Sequence, residues 1–263
     1  MKALNFFEEA YETEVIDKNF SRRQALTKGF GLGLKAALAA IPFGLLDALG
    51  NKAEAAPPAT TVTDILNYAL TLEYLEAAYY KQGLASASLI AASDVKIFMQ
   101  ISKHETAHVA LLQKTISTLG GTPVAEPTFD FTAGGAYPDV FSHYQTFLAL
   151  SNAFEDLGVR AYKGQAVNLM GSGDVLTAAL NIHSVEARHA SEVRRLRGLR
   201  GWITNAEANG LPGFIYDGEE NVVQGGIDVT TITTVPVSSV TQAFDEPLSM
   251  PPVLQIAGPF IKA

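Results

Sequence analysis

The sequence predicts an all-α protein built on four long helices that pack side by side as a bundle. Between positions 59 and 200, prolines occur only at positions 123, 127 and 138. Because proline is excluded from helix interiors, this distribution leaves four long segments that can be helical. Apolar residues recur at the spacing of one helix face within these segments, as at Ile65, Leu66, Ala69, Leu72 and Leu75.

Start and stop signals place the four helices at about 63–82, 93–119, 138–170 and 172–198. Thr63-Asp64 opens the first segment, and Ser93 is the expected N-cap of the second. Pro138 is compatible with the first turn of the third segment, and Ser172 opens the fourth. Glycines or polar turns follow each segment.

The connections between segments predict the topology. The first and second segments are joined by a short link, as are the third and fourth, so each pair is expected to be antiparallel. The middle connection, GGTPVAEPTFDFTAGGA, covers residues 120–136. Seventeen extended residues reach about 56 Å at ~3.3 Å each, which exceeds the ~40 Å length of a 27-residue helix. A bundle with one long crossover is therefore expected, although length alone also permits a simple up-and-down bundle.

Composition and charge exclude several classes of function. The chain has 263 residues, 48% of them hydrophobic, so it can bury a core. Its net charge of −8 argues against a nucleic-acid partner, because such proteins need basic surfaces. The absence of cysteine excludes disulfides, thiolate zinc sites and cysteine nucleophiles.

Residues 1–55 have the features of an export signal. Arg22-Arg23 precede an apolar stretch at 29–50, and Ala53-Glu54-Ala55 is a small-x-small cleavage pattern. This arrangement resembles a twin-arginine signal and implies an exported, periplasmic or cell-surface protein that uses the twin-arginine export machinery. The alternative is an amphipathic helix that tethers the chain to a membrane.

A repeated motif indicates a metal site. Glu105-Thr-Ala-His108 lies in the second segment and Glu186-Ala-Arg-His189 in the fourth, and each pair shares one helix face. Each is preceded by a glutamate in the previous helix, Glu73 or Glu155. Four carboxylates and two imidazoles would then converge on one interior point, as in the carboxylate-bridged metal proteins of four-helix bundles. The alternative is that these residues are polar groups on helix surfaces.

The two halves of the bundle also match around the leading glutamates. LEYLEAAYYKQG at 72–83 aligns with FEDLGVRAYKGQ at 154–165, so that Tyr80 corresponds to Tyr162. Glu76 is an alternative to Glu73, but the repeat places Gly158 opposite Glu76. Tyr80 and Tyr162 are candidate catalytic residues, either bonded to ligand carboxylates or redox-active. The alternative is that they are core tyrosines.

These residues carry a resemblance to a known family. The segments LNYALTLEYLEAAYY (66–80), KHETAHVALLQ (103–113), LALSNAFEDLGVRAY (148–162) and HSVEARHASEV (183–193) resemble the ferritin-like domain family, whose members include exported bacterial proteins and desiccation-related proteins of plants. The resemblance implies a ferritin-like four-helix bundle at 56–200 and a centre of two iron or manganese ions. The ligands that it implies are Glu73, Glu105, His108, Glu155, Glu186 and His189.

The resemblance does not select a reaction, because this fold hosts oxidases, ferroxidases, catalases and storage proteins. One hypothesis is a redox enzyme that acts on oxygen or peroxide, and another is a metal-binding or storage protein. The third is a stress-related or surface protein with a structural bundle. A homo-oligomer is compatible with all three hypotheses.

Residues 201–263 are expected to form an irregular extension that wraps the bundle, with a short helix near 252–260. His183 is a candidate to orient Glu186, whereas the sequence identifies no partner for His104 or His143.

Overall fold

The computed structural model describes residues 60–262. The expected export signal, residues 1–55, lies outside these residues. Four long helices dominate the described chain: α1 at Val62–Ala85, α2 at Val95–Thr118, α3 at Tyr144–Ala166 and α4 at Gly173–Leu196. The prediction of an all-α bundle is confirmed. None of the helices within residues 60–262 combines the length and hydropathy that a membrane span requires.

Helix ends follow local chemistry, with one clear departure from the prediction. Thr61 caps α1 in a reciprocal capping box with Asp64, two residues before the predicted start. The third helix begins at Tyr144, so the prediction of a start near Pro138 was wrong. The backbone N–H groups of Ser142 and His143 both bond to the carbonyl of Asp139, which closes a turn before the helix. His143 itself is extended and ends that turn.

The direction of the helices confirms the long crossover. α1 packs along α2, and α3 packs along α4, while α1 also contacts α3. Tyr80 of α1 bonds to Glu155 of α3, and Tyr162 of α3 bonds to Glu73 of α1, so these two helices are antiparallel. Since α1 and α2 are antiparallel as well, α2 and α3 run in the same direction. A simple up-and-down bundle would make them antiparallel.

The crossover and the chain's end are joined. Within the crossover, β1 at Thr128–Phe129 pairs antiparallel with β4 at Ile261–Lys262. The region between α4 and β4 contains a small hairpin of β2 at Val223–Gln224 and β3 at Ile227–Asp228. The short helices α5 at Val237–Thr241 and α6 at Met250–Ala257 follow. Single turns of 3-10 helix lie at Val167–Leu169, Gly213–Tyr216, Val229–Thr231 and Gly258–Phe260.

Arg160, buried in α3, anchors the C-terminal region to the bundle. Its guanidinium forms an ion pair with buried Glu219 at 2.8 Å. It also donates to the carbonyl oxygens of Ile215, Asp217 and Glu246. The C-terminal region is therefore bonded directly to the helix that carries Glu155.

Apolar packing surrounds the middle of the bundle from both ends. One cluster is rich in aromatic rings and includes Tyr79, Phe98 and Phe147. The other includes Leu70 and Ile116. Both clusters include residues of α1, and Glu73 lies on the same helix, where it meets the other buried acidic side chains.

Candidate metal centre

The six predicted ligands come together in the interior, one or two from each long helix. Glu73 comes from α1 and Glu155 from α3, while α2 and α4 each contribute one Glu-x-x-His pair. All four glutamate side chains are fully buried, and the two histidines are 8% and 5% exposed. Isolated buried carboxylates are costly, so four of them in one place require positive charge among them.

The side chains form two overlapping groups of potential metal ligands. One group is Glu73, Glu105, His108 and Glu186, and the other is Glu105, Glu155, Glu186 and His189. Within each group the donor atoms lie within 4.8 Å of one another. Glu105 and Glu186 belong to both groups, whereas each remaining glutamate and each histidine belongs to one.

The two imidazoles face the carboxylates through the same ring nitrogen. His108 Nδ1 lies 3.1 Å from Glu105 Oε2 and 3.2 Å from both Glu73 Oε2 and Glu186 Oε1. His189 Nδ1 lies 2.9 Å from Glu105 Oε1 and 3.3 Å from Glu155 Oε2. The arrangement around the two histidines is thus approximately two-fold symmetric.

Several of these atoms are close to one another without being hydrogen-bonded. Among the described residues, Glu105 Oε1, Glu155 Oε2, His189 Nδ1 and both carboxylate oxygens of Glu186 are buried and lack a hydrogen-bond partner. Buried polar atoms are nearly always paired, so a converging set of unpaired carboxylate and imidazole atoms indicates a cation site. The residues present therefore fit a metal site with carboxylate and imidazole ligands.

Protonation is strongly displaced in this cluster. Burial opposes the charged form of both imidazoles, but hydrogen bonds to Glu105 and Glu73, together with the nearby carboxylate of Glu186, outweigh it and raise the pKa of His108 to about 12. For His189, burial is outweighed by the charges of Glu155 and Glu105, and its pKa rises to about 11. Protons on the two imidazoles thus balance part of the carboxylate charge, a role that metal ions can take over.

The glutamates divide between charged and neutral forms. Burial would raise the pKa of Glu105, yet its contacts with His108 and His189 lower it to about 2. Burial raises the pKa of Glu73 to about 7 and raises that of Glu186 well above its usual value. The carboxylates crowd one another, which favours binding of cations over a metal-free arrangement.

The two predicted tyrosines bond to carboxylates across the bundle. Tyr80 donates its hydroxyl proton to Glu155 Oε1, and Tyr162 donates to Glu73 Oε1 at 2.5 Å. Burial raises the pKa of both hydroxyls well above the usual value, so both stay protonated. Each half of the bundle thereby orients the leading glutamate of the other half.

Glu76 lies beside the cluster but outside both ligand groups. It is 3% exposed, and burial together with the neighbouring carboxylates raises its pKa well above the usual value. A Cβ atom at Gly158 would lie 3.2 Å from Glu76 Oε1 and 3.1 Å from Glu186 Oε2. Gly158 therefore provides room for these two side chains.

The other three histidines have different roles. His183 does not bond to Glu186, because the buried Nε2 of His183 and both oxygens of Glu186 are unpaired within residues 60–262. His143 is exposed at the start of α3, where its Nδ1 lies 3.2 Å from Thr146 Oγ1. His104 contacts His189, which the sequence reasoning missed. The only signal available was its position directly before Glu105.

Comparison with known proteins agrees with this architecture. A search of curated proteins found none that matches. The family model described as the ferritin-like domain matches residues 61–199, which is more than half of the chain and includes all six candidate ligands. The chain therefore belongs to the ferritin-like domain family.

Proposed function

We propose that this chain binds two iron or manganese ions in a dinuclear centre and uses them for redox chemistry on oxygen or peroxide. The observation that carries the proposal is the pair of ligand groups that share Glu105 and Glu186. In this arrangement Glu105 and Glu186 would be shared by the two ion positions. Glu73 and His108 complete one position, and Glu155 and His189 complete the other.

Charge and ligand chemistry support this assignment. Four carboxylates carry four negative charges, which two divalent cations neutralise in an interior where uncompensated charge is costly. Oxygen and imidazole ligands suit iron and manganese, whereas metals that prefer sulfur would select thiolates, and the chain has no cysteine.

The surrounding residues prepare the centre for redox chemistry. Iron or manganese ions, when bound, supply one-electron changes of oxidation state and thereby chemistry on oxygen. Tyr80 and Tyr162 are the candidate catalytic residues, since their hydroxyl groups bond to Glu155 and Glu73. These bonds hold the two terminal carboxylates in place, and full burial of the carboxylates excludes bulk water.

Metal analysis combined with turnover measurements tests the proposal. The purified protein, reconstituted without oxygen, should contain close to two iron or manganese ions per chain. Glu105→Ala should remove at least one ion because Glu105 belongs to both ligand groups, whereas Glu126→Ala, at an exposed glutamate of the crossover, should remove none. A wild-type protein that binds no ion after reconstitution contradicts the proposal.

Consumption of oxygen or peroxide separates a redox enzyme from a binding protein. The loaded wild type should consume one of them over many turnovers, and loaded Tyr80→Phe and Tyr162→Phe should do so more slowly. Two ions bound without turnover would indicate metal storage or a stress-related structural role instead.

We also propose that the protein is exported through the twin-arginine route, which accepts folded chains. A folded bundle carries its metals with it, so the ions would be acquired in the cytoplasm. Arg22→Lys combined with Arg23→Lys should leave a folded, metal-loaded precursor in the cytoplasm. Cell fractionation and N-terminal sequencing of the exported form test this. Export that is unaffected by the double change would contradict the twin-arginine route, and a chain that still begins at Met1 would favour a membrane-tethered or cytoplasmic protein.

A further inference from the structure

A third histidine lies directly behind the candidate ligand His189. His104 precedes Glu105 in α2, and its ring meets that of His189 edge to edge, nearly in one plane, with centroids 5.1 Å apart and planes at 12°. His104 Nδ1 lies 2.8 Å from His189 Nε2. The other nitrogen of His104, Nε2, lies 2.6 Å from the side-chain amide of exposed Gln100.

These contacts determine where the imidazole protons lie when a metal is bound. His189 faces Glu105 and Glu155 through Nδ1, so this nitrogen must be unprotonated to bind a cation. Its proton then lies on Nε2, which donates to His104 Nδ1. His104 in turn carries its proton on Nε2. The structure places the amide nitrogen of Gln100 next to this atom, and turning the amide by 180° exchanges its nitrogen and oxygen, so that Gln100 accepts the proton.

The arrangement is confined to one half of the bundle. The Glu-x-x-His motifs align Glu105 with Glu186, and therefore His104 with Val185. An isopropyl side chain cannot accept a hydrogen bond. Val185 therefore cannot accept a hydrogen bond from His108, although the candidate ligands repeat in the two halves.

We infer that His104 is a positioning residue for one of the two ions, the one that His189 holds. The inference rests on the proposed dinuclear centre. By accepting the Nε2 proton of His189, His104 selects the tautomer that leaves Nδ1 free for the metal, and this in-plane hydrogen bond fixes the orientation of the ligand ring. Outer partners of this kind contribute about 10–100-fold to metal affinity. The two ion positions are therefore unequal.

Substitutions that separate the packing of the ring from its hydrogen bond test this role. His104→Phe keeps an aromatic ring against His189 but removes the acceptor nitrogen. His104→Asn restores an acceptor, because its Oδ1 occupies nearly the place of Nδ1. His104→Leu is a second non-accepting variant in case the Phe form does not fold. His143→Leu, at an exposed histidine, is the matched control.

Binding of cobalt(II) to the full-length protein provides two readouts. Calorimetric titration should resolve two binding steps in the wild type. His104→Phe or His104→Leu should weaken one step by about 10–100-fold and change the other by less than about threefold. His104→Asn should recover most of the loss, and His143→Leu should match the wild type.

Proton NMR of the cobalt-loaded protein gives the second readout, since each ligand imidazole carries a shifted, solvent-exchangeable N–H signal. His104→Phe should accelerate the exchange of one such signal and leave the other unchanged. Equal weakening of both steps, no weakening, or an Asn form no better than the Phe form would overturn the inference. A wild type that binds no cobalt would instead contradict the dinuclear centre itself.

Discussion

Glu73 and Glu76 provide a matched pair for testing the ligand assignment. Both lie on α1, one turn apart, and both are buried within the acidic cluster. Glu73 belongs to the ligand group around His108, whereas Glu76 belongs to neither group. Glu73→Gln and Glu76→Gln each keep the side-chain volume and remove the capacity for negative charge.

The expected magnitudes differ because a cation at the ligand group of Glu73 would hold that carboxylate ionised, whereas Glu76 belongs to neither group. Two unit charges about 4 Å apart interact by roughly 4 kcal/mol at an effective dielectric constant of 20. At about 1.4 kcal/mol per tenfold change, loss of the Glu73 carboxylate should lower the affinity for the ion beside His108 by about a thousandfold or more. The pKa of Glu76 is raised well above its usual value, so glutamine replaces a neutral carboxyl group. We expect Glu76→Gln to change metal affinity by less than about tenfold.

The metal-free protein should respond little to either change. In Glu73→Gln the amide oxygen can still accept the hydroxyl proton of Tyr162, and His108 keeps its contacts with Glu105 and Glu186. Equilibrium dialysis with elemental analysis measures the affinities, and thermal unfolding with and without manganese(II) shows whether the metal-induced rise in Tm is lost. Equal loss of metal in the two variants would refute the reasoning and place Glu76 among the ligands.

Two further predictions follow from the protonation state and from a close backbone contact. Because the pKa values of His108 and His189 are raised to about 12 and about 11, both imidazoles are protonated in the metal-free protein at pH 7. Loading both ions should release at least two protons, so the overall affinity should rise by at least about a hundredfold per pH unit. Calorimetry that shows no dependence on the buffer's protonation enthalpy would contradict this. A Cβ at Gly164 would lie 2.0 Å from the carbonyl oxygen of Leu248, so Gly164→Ala should destabilise the protein by about 1–3 kcal/mol despite the higher helix propensity of alanine. Gly171→Ala, where a Cβ meets open space, should shift the free energy of unfolding by less than about 0.5 kcal/mol in the same thermal unfolding experiment.

The convergence of the six ligands could be predicted because it depends on short-range periodicity. A glutamate and a histidine three residues apart share a helix face wherever the helix lies. Repetition of that pattern at Glu105 and Glu186, each after an earlier glutamate, predicts two hairpins that meet face to face. The helix directions could be narrowed only to two topologies, since the length of the crossover permitted both.

The contacts around the centre depend on how helices pack, and sequence patterns carry little information about that. His104 and His189 are 85 positions apart and meet only because of the relative height of α2 and α4. The partners of Arg160 lie 55–86 positions away in an irregular region without periodicity. α3 starts late because a turn forms at Asp139. Pro138 is equally compatible with the first turn of a helix, so the sequence did not indicate this turn.

The two-fold repeat of the candidate ligands does not extend to all the residues around them. The ligands repeat between the halves, yet Glu76 stands opposite Gly158 and His104 stands opposite Val185. Identical ligands in identical surroundings would give both ions the same intrinsic affinity, and repulsion between them alone would separate the two binding steps. Unlike surroundings give the positions different affinities, so a half-loaded chain in the proposed centre would hold its ion mainly at one position. In such a centre the first ion to bind and the first to be lost are determined by residues that are not themselves ligands.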